Sequence, residues 1–95
     1  MSAAEATLKC VIALSDKRHL CRIVEDALRA RIAGEGMMRL AEDAIIVHVA
    51  NEPGEIRDWV RTALEEGESV LVVEFERWSG YGRGIDSRWL MSRGH

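Results

Sequence analysis

The stretch from Thr7 to Leu14, TLKCVIAL, is apolar on one face of an extended chain and nearly so on the other, and that narrows the folds open to it. Strand side chains alternate, so Leu8, Cys10, Ile12 and Leu14 share one face while Lys9, Val11 and Ala13 share the other. A strand of this kind belongs in the middle of a sheet, partly covered on both sides. The next segment, SDKRHLCRIVEDALRARIAGEG, changes period. Leu20, Ile23, Val24, Ala27, Leu28 and Ile32 follow helical spacing, with Ser15 or Asp16 suited to the N-cap and Gly34 or Gly36 to the end.

Met37 to Leu40 reads as a short extended run, Glu42 and Asp43 as a turn, and Ala44 to Ala50 as a β-branched strand. Asn51 suits the cap of a second helix, with Pro53 in its first turn and Gly67 closing it. Ile56, Trp59, Val60, Ala63 and Leu64 form its buried stripe. SVLVVEFERW is the last clear strand, with Leu71, Val73 and Phe75 on one face. The order β-α-β-β-α-β predicts an α+β fold of the ferredoxin-like kind, a four-stranded antiparallel sheet with two helices on one face. A three-stranded β-α-β-α-β arrangement, with Met37 to Leu40 as loop, is the competitor. Residues 1–6 read as a tail, 7–76 as the domain, and 77–95 as a C-terminal extension with a possible extra strand at a dimer interface.

Ninety-five residues suffice for one core and not two. No apolar run approaches the ~20 residues that span a bilayer, so no membrane partner is expected. MSAAEATLKC has no basic start followed by an apolar run, so a cytoplasmic location is expected. Cys10 and Cys21, outside any CxxC spacing, read as small buried apolar groups. Charge is unevenly placed: the net charge is -3, yet Arg77 to His95 carries four arginines against Asp86 alone. A local basic patch on an acidic body is therefore expected.

Four pieces carry a resemblance: CVIALSD; MMRLAEDAIIVHVANEPGEIRDWV; EEGESVLVVEFERWSGYG; and SRWLMSRG. Together they resemble the SinR-like small proteins, relatives of the CRISPR-associated integration subunit (Cas-two) and of virulence-associated protein D. The resemblance implies a ferredoxin-like protomer that forms a homodimer, with a strand after the fourth crossing to the partner's sheet. It also implies either metal-dependent nuclease activity at the aspartate ending the first strand or structural binding of duplex DNA without cleavage. The family's usual Tyr-Asp strand ending is replaced here, since Leu14 and Ser15 precede Asp16.

Asp16 is the one residue placed to inherit the catalytic and metal-binding role, with magnesium or manganese as the ion; otherwise no cofactor is expected. A Ser-Asp pair before a helix also serves capping, and capping is the preferred reading. His19, His48 and His95 have no metal-ligand spacing, and GYGRG lacks the layout of a phosphate loop. In the tail, Arg77, Arg83, Arg88 and Arg93 suit phosphates, with Trp78, Tyr81 or Trp89 as stacking faces. Alternatively Trp78 and Trp89 anchor an interface and the arginines meet acids such as Glu74 and Glu76. SRWLMS reads as a short strand in need of a sheet edge, and docking is preferred. The expected function is a homodimeric Cas-two-like binding module acting on nucleic acid or a protein partner in a mobile-element or defence setting. A nuclease using Asp16 from both protomers and a partner-blocking antitoxin or phage inhibitor are the alternatives.

Overall fold

β1 (Thr7–Leu14) lies between two neighbours, as its largely apolar faces require. In the computed structural model, which describes residues 5–93, it pairs antiparallel with β3 (Ala44–Val49) and with β4 (Ser69–Phe75). β2 (Met37–Ala41) pairs antiparallel with β3, so the sheet runs β2-β3-β1-β4 and the three-stranded alternative is excluded. Among the described residues both outer edges, β2 and β4, are unpaired. Three helices complete the chain: α1 (Leu20–Arg29), α2 (Pro53–Arg61) and α3 (Ser87–Ser92). The architecture is α+β with a four-stranded antiparallel sheet, compatible with the ferredoxin-like plan.

α1 and α2 cover one face. Leu20, Val24 and Leu28 of α1 and Ile56 and Val60 of α2 bury against Val11, Ala13, Ile45 and Val47. Each large aliphatic side chain hidden in this way contributes about 1.5–3 kcal/mol relative to exposure. Lys9 shares this face and is 1% exposed. Its Nζ donates to the Thr7 hydroxyl at 2.5 Å and to the Val49 carbonyl at 2.7 Å, and lies 3.5 Å from the Glu74 carboxylate. Three acceptors for three protons satisfy the buried ammonium.

Local punctuation differs from expectation. Neither Ser15 nor Asp16 caps α1: the helix starts at Leu20 behind His19, with no side-chain cap. The Ser15 hydroxyl instead accepts from the Lys17 amide at 3.2 Å, turning the chain before the helix begins. α1 ends at Arg29 rather than at a glycine, and Gly34–Gly36 forms a separate 3₁₀ turn. Glu52, not Asn51, caps α2, and its amide donates to the Glu55 carboxylate at 3.2 Å.

The largest correction concerns the end of the chain. SRWLMS is helix α3, not a strand at a sheet edge. Its three adjacent apolar residues do not select a strand or a helix by themselves; packing does, with Leu90 and Trp89 on the sheet and Met91 left 66% exposed. The Asp86 carboxylate accepts from the Trp89 amide at 3.0 Å and caps the turn. Leu90, 3% exposed, packs with Leu8 and Ile46 on the sheet face opposite α1 and α2, joined by Phe75, Trp78, Ile85 and Trp89. The strap between β4 and α3 needs glycine twice. Gly82 has φ +108°, and a Cβ on Gly80 would sit 2.8 Å from Ile85.

Candidate functional site

Asp16 sits on the loop from β1 to α1, which Arg18 holds in place. The Arg18 guanidinium makes a two-pronged contact with Glu68, both distances 2.6 Å, and donates to the Ala63 carbonyl at 2.9 Å. This contact draws the Glu68 carboxyl down to about 2 from its ordinary 4.5. The loop is thus clamped to the chain leading into β4.

Across from Asp16 stands the β2–β3 turn. The Ala13 amide donates to the Asp43 carbonyl at 2.8 Å, bringing Glu42 and Asp43 to the end of β1. A polar cleft of about 360 Å³ results, lined by Asp16, Lys17, Arg18 and His19 on one side and Glu42 and Asp43 on the other. The two further acids were invisible in sequence, because a hairpin and not proximity along the chain delivers them. Among the described residues no three His, Cys, Asp or Glu side chains are grouped to hold a metal ion.

The predicted tail residues divide into two sets. Trp78 and Trp89 pack on the chain's own sheet. The Trp89 indole N–H donates to the Glu35 carbonyl at 3.0 Å, and the Arg93 guanidinium lies 4.6 Å from its ring centre. Both tryptophans stay half-buried against that sheet. Tyr81 is wholly exposed, and Arg77, Arg83 and Arg88 are exposed with it. Glu74 does not wait for tail arginines: its carboxylate accepts from the Thr7 hydroxyl at 2.7 Å and faces Lys9, and both hold it below the usual carboxylate range. His95 lies outside the described residues, as do positions 1–4 of the expected tail.

α3 covers only part of the back face. Leu14, Leu71 and Val73 remain 52%, 56% and 41% exposed. Leu71 pairs with Ile12 and Val73 with Cys10, so these side chains form one strip along β1 and β4 beside the open β4 edge. The two thiols lie on opposite sides of the sheet, Cys21 in the helix-side core and Cys10 in the back-face cluster, and burial pushes both up. Both are free thiols that burial keeps protonated, as inert apolar groups would be.

No helix among the described residues is long and apolar enough to cross a membrane. In comparisons with known proteins, no family model matches the chain, and no curated protein or solved structure matches it.

Proposed function

We propose that this chain is a homodimeric binding module of ferredoxin-like plan, similar to the SinR-like and Cas-two group, acting on nucleic acid in a mobile-element or defence setting. One observation carries the reading: an apolar strip, Leu14, Leu71 and Val73, lies bare beside the unpaired edge of β4. Apolar side chains contiguous with an open edge favour a second sheet, and a copy of the same chain brings the matching strip. The exposed Arg77, Arg83 and Arg88 with Tyr81 supply cationic and aromatic groups for a nucleic-acid partner. Light scattering after size exclusion tests the assembly. The expected mass is about twice 10.7 kDa, and Leu71→Lys with Val73→Lys returns it to one chain. A wild-type monomer at tens of micromolar overturns the reading.

A second reading, a metal-dependent nuclease using Asp16 from both protomers, has one observation in its favour. The strip ends at Leu14, two residues before Asp16, so a partner seated on it adjoins the Asp16 cleft with its Glu42 and Asp43. Magnesium-dependent cleavage of duplex DNA that disappears in Asp16→Asn is its expected signature. Cleavage that survives the substitution removes it.

A further inference from the structure

The two ends of the sheet differ in chemistry. Asp16, Glu42 and Asp43 line a cleft at one end; at the other, where β3 finishes and β2 begins, a cleft of about 450 Å³ carries two arginines. Arg31 follows α1, Arg93 follows α3, and Gly36 and His48 line the wall between them. Among the described residues Glu35 is the one acid in the lining. Its carbonyl oxygen accepts from both the Trp89 indole and the Arg93 guanidinium, which fixes that wall.

Among the described residues neither arginine is paired with an acid. Arg18, Arg29, Arg39 and Arg57 each lie within ion-pair distance of a carboxylate; Arg31 and Arg93, like the other arginines among the described residues, do not. Each lies instead over an indole ring, Arg31 at 5.5 Å from the centre of Trp59 and Arg93 at 4.6 Å from that of Trp89. A guanidinium laid on an aromatic face keeps its plane fixed and its positive charge uncancelled, with N–H groups along its edge. Arg93 uses part of that edge on the Glu35 carbonyl and on the Ser92 hydroxyl at 3.1 Å; Arg31 makes no hydrogen bond among the described residues. Two guanidinium forks, each over an indole ring and without an acid partner among the described residues, border one concave space and suit a tetrahedral oxyanion, which accepts from several N–H groups at once.

We propose that this cleft binds a phosphate group, with Arg31 and Arg93 as its cationic walls. The inference deepens the binding-module reading and does not depend on self-association. The phosphate has two possible sources, a small phosphorylated molecule or a nucleic-acid backbone, and the full-length chain distinguishes them. Sodium pyrophosphate is titrated by calorimetry, and a fluorescein-labelled single-stranded oligonucleotide by anisotropy. Binding is expected to weaken about tenfold in Arg31→Gln, again in Arg93→Gln, and not in Arg57→Gln, whose side chain is paired outside the cleft. Pyrophosphate binding lost in Arg31→Gln identifies a small phosphorylated ligand; loss of oligonucleotide binding alone identifies the backbone. If neither probe binds, or both bind the double variant as they bind wild type, the proposal fails. Arg31 is exposed, so Arg31→Gln keeps the test decisive even if Arg93→Gln loosens α3, which thermal melting reports. Failure here leaves the light-scattering mass unaffected, and a monomeric mass leaves these titrations interpretable.

Discussion

At the scale of single residues, the charges inside this fold are placed by partners that lie far away in sequence. Lys9 looked like the odd member of a nearly apolar strand face. It is buried because Thr7, Val49 and Glu74 converge on its ammonium from three strands. Arg18 and Glu68, fifty positions apart, form the tightest ion pair of the described residues and lock the Asp16 loop. The Glu68 carboxyl titrates at about 2 when folded and near its ordinary 4.5 when unfolded. The stability this pair contributes is therefore complete above the ordinary value and drains away as pH falls toward the folded one. Denaturant melts at a series of acid pH values are expected to fall through that window in the wild type. Glu68→Gln is expected to begin less stable at neutral pH and to show a flatter decline, because the linked proton is gone. An unchanged acid slope in the variant would show that other carboxylates govern it.

At the scale of elements, legibility followed periodicity. β1, β3 and β4 and most of the stripes of α1 and α2 were readable because alternation and helical spacing repeat within each. α2 nonetheless stops at Arg61 rather than at Gly67 and leaves Ala63 and Leu64 beyond it, as α1 leaves Ile32. α3 spans six residues, too few for a period to declare itself, and its three adjacent apolar side chains fit a strand edge or a helix equally in isolation. What decides is tertiary: Leu90 finds Leu8 and Ile46, and Asp86 closes the first turn. The caps of α1 and α2 were misplaced for a related reason, since several polar residues precede each helix and the flanking chain selects among them. Leu90→Ala is expected to cost about 2 kcal/mol, near the low end for a buried leucine because the site lies at the margin of the core. Urea denaturation followed by tryptophan fluorescence measures it; a cost near zero would mean that α3 rests on the sheet without holding it.

At the scale of the whole molecule, the topology sorts charge and apolar surface into separate regions. The acids at the end of β1 and the arginines at the end of β3 occupy opposite ends of one sheet, and the bare strip runs along β4 between helix-covered and strap-covered ground. None of this could be read from composition, which reports only a mild negative balance. Asp16 was a candidate only through the resemblance, which points to the aspartate after the first strand; Glu42, Asp43 and Arg31 were not candidates, because only the closed sheet puts them on a cleft.

The strap gives the two halves of the back face different responses to concentration. α3 is tied to β4 by a short connection containing Gly80 and Gly82. A tethered segment of this kind competes for its own docking surface at an effective concentration of about millimolar. The same helix offered by another chain makes identical contacts and has no such advantage. In dilute solution the covered half stays with its own chain, and exchange of C-terminal segments between copies begins only as protein approaches that level. Among the described residues no tethered segment covers the bare half, so a partner seated there would meet no such competitor.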